Sequence, residues 1–384
     1  MKIKVSDYIA NYLVDNDIVD VFTITGGGAM HLNDSLGHKK GMHCYYQHHE
    51  QACAIAAEAY ARIHNKLALV CVTTGPGGTN AITGVVGGWL DSIPMLIISG
   101  QVRSDTMAKT TGLNLRSMGD QEFDIISAIS CMTKYSELVL DPNRIKYCLA
   151  KAITISKNGR PGPCWLDIPL DVQGAFIETD ELEDYNPQEY LKTIPTNVTA
   201  ETADIIIQKI NDAKRPILYV GNGIRLSGGY DGFLQLYKKL KIPVVTGWDS
   251  IDLIPDEDPL FAGRAGSLGT RSGNFAVQNS DLILSIGNRL CLRQTSFNWK
   301  EWAKHAYIIM EDVDENELKK PTLHVDMPLY IDAKALLDKL NESNSYVTNK
   351  NEWVKQCIEW KMKYPVVQKQ HYENYEYVNP YSFM

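Results

Sequence analysis

Residues 44–80 read CYYQHHEQACAIAAEAYARIHNKLALVCVTTGPGGTN. In order they spell a strand end, a polar turn, an alanine-rich helix, a buried strand and a glycine-rich turn into another helix. Ala52, Ile55, Ala56, Ala59 and Ile63 recur at offsets of three, four and seven. That spacing predicts one apolar stripe on a helix that begins at Glu50. LALVCVT is apolar throughout, as expected of a parallel strand covered on both faces. TTGPGGTN then turns into the helix AITGVVGGWLDS, and PMLIISGQV is the next strand. Strands and helices alternating at this spacing predict a parallel α/β sheet with right-handed crossovers.

Upstream, VDVFTITGGG is a strand that runs into Gly26, Gly27 and Gly28 before the helix AMHLNDSL, the first half of a βαβ unit. Ligands of such sheets bind at the carboxyl ends of the strands. Three features share that edge: the Gly26–Gly28 run, Glu50, and Gly75-Pro76-Gly77-Gly78. The last is not followed by G-K-[ST], so it is not a triphosphate loop. Residues 104–124 form a long polar loop of the kind that carries function. GRPGPCWLDIPLDV (159–172) is a buried strand that closes the first domain, and the acidic, aperiodic stretch after it reads as a linker. A second α/β domain opens with a helix apolar at Ala203, Ile206, Ile207 and Ile210. It continues through the strands PILYVGNGI, IPVVTGWDS, DLILSIGNRL and AYIIMEDVDEN, and an amphipathic helix starts at Asn351. The expected boundaries are 1–175, a linker at 176–198, a middle domain at 199–345, and a helix and tail at 346–384.

A chain of 384 residues can hold two domains with sizeable cores. Its net charge of -8 argues against nucleic acid, which needs a basic face. MKIKVSDYIANYLVDN breaks into Ser6-Asp7 before any long apolar run, so it reads as a helix start and not a leader. No window has the apolar length of a membrane span. A cytoplasmic protein is expected. The eight cysteines show no C-x-x-C pairing and read as small buried hydrophobes. His48-His49-Glu50 lacks the one-turn spacing of paired histidine ligands, and no metal site is expected here.

QHHEQACAIAAEAYAR, TTGPGGTN, DSIPMLIISGQV, QEFDI, TKYSELV, GRPGPCWLDIPLDV and NSDLILSIGNRL, taken in order, resemble the thiamine diphosphate enzymes of the acetolactate synthase group over nearly the whole chain. The resemblance implies a first domain that binds the aminopyrimidine ring of thiamine diphosphate. It implies a middle domain with a nucleotide-binding-like fold that holds FAD in some members. Glu50 would hydrogen-bond the ring nitrogen and relay a proton there, whereas an isolated glutamate at a helix start would merely complement the helix dipole. Gly26 and Gly27 would lie close to the ring, Pro76 and Asn80 would pack against it, and Gln121 would line the pocket. Arg160 matches an arginine that approaches FAD, and residues 266–289 would run beside the same flavin. The substrate implied is a 2-oxo acid such as pyruvate, and the assembly implied is a homodimer or tetramer.

The chain also departs from that group. Gly119-Asp120-Gln121-Glu122 stands where acetolactate-forming members have A-F-Q-E, Leu170 stands for a lysine, and Leu290-Cys291-Leu292-Arg293 replaces the acidic R-F-D-D-R pattern. An acid at 120 suits a more polar acceptor, such as a keto-sugar nucleotide. The 290–293 change leaves FAD binding open. No G-D-G…N pair occurs in the 384 residues, so the family's Mg²⁺ and diphosphate ligands are expected from a longer parent chain or a partner. The chain is accordingly expected to be truncated before that diphosphate-binding domain, and inactive alone. Two rival expectations remain: a non-catalytic binding or regulatory protein that kept the fold, and a flavin or nucleotide binder working through the middle domain.

Overall fold

In the computed structural model, which describes residues 1–373 and 376–383, the chain divides into two units, Met1–Thr193 and Ile194–Met384. The first runs β1 (Lys2–Lys4), α1 (Val5–Asp15), β2 (Asp20–Thr23), α2 (Met30–His38), β3 (His43–Tyr46), α3 (Glu50–His64), β4 (Ala68–Val72) and α4 (Pro76–Asp91). It continues through β5 (Met95–Gln101), α5 (Ile125–Ile129), β6 (Tyr135–Leu138), α6 (Ile145–Lys157), β7 (Pro163–Pro169), α7 (Leu170–Gly174), β8 (Phe176–Glu178) and α8 (Pro187–Leu191). Six strands make one parallel sheet in the order β3-β2-β4-β5-β7-β6. The expected α/β architecture is therefore present. Because the chain steps from β2 outward to β3 and then back across β2 to β4, the sheet has a topological switch point between β2 and β4.

Every residue of β4, β5 and β7 is buried, the polar Ser99, Gln101 and Asp167 included. Alternate residues face opposite sides. Leu69, Leu96, Ile98 and Leu166 meet Ile9, Leu13, Leu32 and Leu149 from α1, α2 and α6. On the other face the row Phe22–Val70–Ile97–Trp165 lies toward α3 and α4.

Helix α3 forms where expected but turns the other way. Its buried residues are Cys53, Ala54, Ala57 and Ala61. The stripe read from periodicity is largely outside: Ile55 is 47% and Ile63 75% exposed. An alanine-rich helix carries two overlapping apolar stripes, so spacing cannot choose between them. Close approach chooses. At the crossing with α4, a Cβ added to Gly84 would stand 2.6 Å from the carbonyl carbon and Cβ of Ala54 and from the nitrogen of Ile55. Only the smallest side chains fit there. Gly84→Val is expected to destabilise the first unit by about 1–3 kcal/mol by forcing the two backbones apart, read as a lowered urea midpoint.

Two further boundaries differ from expectation. Gly75 to Asn80 is not a turn that precedes a helix: Gly75 is the N-cap, Pro76 fills the first turn, and the glycines lie inside α4. The start of the acidic stretch is structured, because Phe176–Glu178 pairs antiparallel with Lys2–Lys4 and Leu182 joins the core.

The second unit comprises α9 (Ala200–Asp212), β9 (Pro216–Val220), α10 (Gly223–Leu226), α11 (Tyr230–Leu240), β10 (Val244–Thr246), β11 (Phe261–Arg264) and α12 (Arg271–Asn279). After these come β12 (Leu282–Ile286), α13 (Leu292–Thr295), β13 (Tyr307–Asp312), β14 (Met327–Tyr330), α14 (Ala333–Glu342), α15 (Asn351–Lys363) and α16 (Pro380–Phe383). Its six strands are again all parallel, ordered β11-β10-β9-β12-β13-β14. Ala203, Ile206, Ile207 and Ile210 of α9 are all buried, and Thr199 caps the helix by accepting from Thr202 N–H. β11 and β14 escaped the sequence reading. Both are four-residue edge strands, and each contains a residue that weakens the pattern, Gly263 and Pro328.

Candidate active site

The switch point of the first sheet is where the sequence-predicted residues converge. The first residue of α3 is Glu50, and His49 before it is the N-cap, its Nδ1 accepting the Gln51 N–H at 3.1 Å. One turn into α4, Asn80 donates Nδ2–H to Glu50 Oε2 at 3.0 Å. Oε1 accepts no hydrogen bond from a described residue. Gly77 lies beside it, and a Cβ added there would stand 3.7 Å from that oxygen. A carboxylate half-anchored and half-open, beside a surface without side chains, can take a proton donor or acceptor of flat shape.

The glycine turn after β2 borders the same place through Thr73. Thr73 Oγ1 accepts the Gly28 N–H at 3.1 Å, and Asn33 Oδ1 accepts the Gly26 N–H at 3.2 Å. The Thr73 side chain would lie 2.4–2.7 Å from a Cβ on Gly26 and 2.9 Å from one on Gly77. Gly26, Thr73, Gly77 and Glu50 thus form a continuous rim. Gly27 opens outward, with nothing within 4 Å of its Cβ position. The structure therefore brings together Gly26, Glu50 and Asn80, with Gly27 and Pro76 adjoining this rim along the chain, next to Gly26 and Gly77. Thr73, Asn33 and His49 were missed by the sequence reading. They are ordinary polar residues: Thr73 and His49 lie one or two residues outside a glycine run or a helix start, which could have flagged them, whereas Asn33 lies inside α2 and carries no such signal.

Gln121 reaches this edge through its backbone. Gly75 has φ +58°, and a Cβ there would stand 2.1 Å from the Gln121 carbonyl oxygen, so this position needs glycine on two counts. Gln121 is itself left-handed, at φ +58°, with its side chain exposed. Glu122 holds that conformation: Oε1 accepts the Ala108 N–H at 2.7 Å, and Oε2 those of Met118 and Gly119 at 2.8 and 3.0 Å. The long loop is thereby folded on itself, with Asp120 exposed in the turn from Gly119 to Glu122.

Arg160 does not join the others. It precedes β7, at the amino ends of strands whose carboxyl ends carry Glu50, and its Nε donates to Ser92 Oγ at 3.0 Å. Cys53, one turn after Glu50, stays a thiol, since burial and the Glu50 charge push it up to about 11. Among the described residues no three histidine, cysteine or acidic side chains are grouped to hold a metal ion.

The second unit has its own switch point, between β9 and β12. There Gly223 N–H donates to Gly287 O at 2.9 Å, and Gly287 N–H donates to the buried Glu311 Oε2 at 2.6 Å. Burial raises the Glu311 carboxyl well above the ordinary range. Two buried polar atoms at these strand ends, Asn288 Nδ2 and Thr246 Oγ1, lack a hydrogen-bond partner. Such atoms are what a polar ligand would satisfy.

Comparison with known proteins gives the same division. Residues 3–128 match the family described as "Thiamine pyrophosphate enzyme, N-terminal TPP binding domain", and residues 203–340 match "Thiamine pyrophosphate enzyme, central domain". The chain is 31% identical to the acetolactate synthase large subunit of Lactococcus lactis over 94% of its own length and 60% of that protein's. It is 32% identical to the corresponding subunits of Cyanidium caldarium and Haemophilus influenzae, over 93% and 94% of this chain and 61% and 62% of theirs. It spans about three fifths of these relatives' length. No described helix is long and apolar enough to cross a membrane.

Proposed function

This chain belongs to the thiamine pyrophosphate enzyme family, and we propose that its first unit binds the aminopyrimidine ring of thiamine diphosphate in an enzyme that decarboxylates or ligates a 2-oxo acid such as pyruvate. The observation that carries this reading is the pair Asn80–Glu50, 3.0 Å apart, with Oε1 open beside Gly77. Thiamine diphosphate, when bound, supplies the nucleophilic carbon and the electron sink that such reactions require. The chain's own residues have simpler tasks. Glu50 holds or releases a proton at Oε1, toward a ring nitrogen. Asn80 fixes the orientation of that carboxyl group. Gly26, Gly27 and Pro76 give a surface on which a flat ring can lie, and Gln121 borders the pocket. Asn80→Ala is expected to lower kcat/KM about tenfold, the worth of one hydrogen bond to a charged group, without a change in melting temperature beyond a few degrees.

The finer assignments rest on particular residues. Mg²⁺ and the diphosphate would be held by residues outside these 384, on the same polypeptide or on a partner, and turnover would need them. The exposed Ile55 and Ile63 of α3, with Trp89 and Leu90 of α4, favour a homodimer or tetramer through this face. A cytoplasmic location agrees with the free cysteines. Asp120, where acetolactate-forming members have an aromatic residue, favours a polar acceptor such as a keto-sugar over a second pyruvate. Product analysis of the complete enzyme with pyruvate alone decides this: efficient acetolactate formation would rule out the keto-sugar acceptor.

A flavin or nucleotide in the second unit is favoured by one observation, the unpartnered Asn288 Nδ2 and Thr246 Oγ1. Flavin absorbance in the purified protein is the expected sign. A colourless protein that takes up no added FAD contradicts it.

A further inference from the structure

Behind the loop that carries Gln121 lies a buried carboxyl group that the proposed chemistry leaves unused. Asp167 of β7 is 2% exposed and forms no ion pair among the described residues. Its Oδ1 accepts the Ser99 hydroxyl at 2.5 Å, and its Oδ2 accepts Gln101 Nε2–H at 2.9 Å. The second Nε2 hydrogen of Gln101 goes to the Phe123 carbonyl at 3.0 Å, and the Val102 N–H donates to Gln101 Oε1, which fixes the amide's orientation. Trp165 Nε1 donates to Ser99 Oγ at 2.8 Å, leaving the Ser99 hydrogen to point at Asp167. Every donor around Asp167 is thus aimed at it. A proton on Oδ2 would oppose the Gln101 N–H, and one on Oδ1 would oppose the Ser99 hydroxyl hydrogen.

We propose that Asp167 is a positioning residue: its carboxylate, acting through Gln101, fastens the end of the 104–124 loop at Phe123 and so holds Gln121 against the amino end of α4. The importance given to Gln121 rests on the proposed function, but the fastening is a property of the first unit by itself. Burial raises the Asp167 carboxyl to about 7, with the Ser99 and Gln101 hydrogen bonds pulling it back down. The charged groups that act on it belong to the loop: Asp124 raises it and Lys109 lowers it, and these two pair with each other at 3.0 Å. From the other elements, α4 and α5 present no charge to it, since Asp91 ends α4 far from β7's carboxyl end. Glu137 of β6 is in register with Leu166 and so faces the opposite side of the sheet, and Asp171 of α7 is turned to Ser104. The hold on the loop therefore follows the ionisation of one group.

Amide hydrogen exchange by mass spectrometry on the full chain tests this, at pH 6 and pH 8 with intrinsic rates corrected. Asp167→Asn keeps an oxygen that can accept from Gln101 but cannot titrate. Gln101→Met removes both donors. Peptides within 104–124 of the wild type are expected to exchange about tenfold faster at pH 6 than at pH 8, the loss of one charge-assisted hydrogen bond. In Asp167→Asn that difference should vanish, and in Gln101→Met the loop should exchange fast at both pH values. Equal pH responses in wild type and Asp167→Asn overturn the proposal, as does a protected loop in Gln101→Met. If lost protection in α6 shows that Gln101→Met has unfolded the unit, the wild-type and Asp167→Asn comparison decides alone. None of this needs cofactor or turnover, so it fails or stands apart from the reading of Glu50.

Discussion

On the proposed function, Glu50→Gln is expected to lower turnover of a 2-oxo acid substrate by about 10²–10⁴-fold, the range for removing a positioned proton-transfer group. The amide is nearly the same size, and its oxygen can still accept from Asn80 Nδ2, so the packing around α3 should persist. What it lacks is a proton it can exchange. Glu50 also stands at the positive end of a helix, and losing its charge there should cost less than about 1 kcal/mol of stability. A large loss of rate with a small change in melting temperature is the expected pattern. Glu50→Asp keeps the carboxyl group one methylene short and should fall between the two. Equal losses in both variants would point to packing and not to proton transfer.

The second large effect concerns stability and pH. Asp167 has a folded-state pKa of about 7 against an ordinary 3.8, because burial opposes its charge. Between these values the folded unit keeps a proton that the unfolded chain has released. Stability from this group is thus full below about pH 4 and falls as pH rises to about 7. Over that window the loss is roughly 4 kcal/mol. In Asp167→Asn the dependence should disappear, so the variant should gain on the wild type from about pH 4 to about pH 7 and level off above that in denaturant melts. A wild type and variant whose difference stays constant with pH would show that Asp167 does not titrate there. An ionised Asp167 therefore burdens the fold, because burial opposes its charge.

The sheet was legible from the sequence where burial is complete, because β4, β5 and β7 have no alternation to misread. Short edge strands were not, since β11 and β14 make half the hydrogen bonds of an inner strand and tolerate glycine or proline. The orientation of α3 was beyond pattern reading. Ala54 faces Gly84 because two backbones must nearly touch, a condition on two helices that neither helix's periodicity contains. At the site, glycine runs and a glutamate at a helix start gave the location. The Asn80–Glu50 bond was not foreseen, since the resemblance placed Asn80 against the ring, and the Thr73 bridge between the two glycine turns is a product of the fold. Asp167 was read simply as part of a buried strand. Its carboxyl group in an otherwise apolar run was the signal.

On the proposed function, Glu50 would hold or release a proton at Oε1 toward the pyrimidine half of thiamine diphosphate. The most direct measurement is the rate at which thiamine diphosphate, bound with Mg²⁺ to the complete enzyme, exchanges its thiazolium C–H for deuterium, followed by quenched-flow NMR. The account predicts that Glu50→Gln slows this exchange at least about a hundredfold relative to the wild type at equal cofactor occupancy. An unchanged exchange rate in the variant would contradict it.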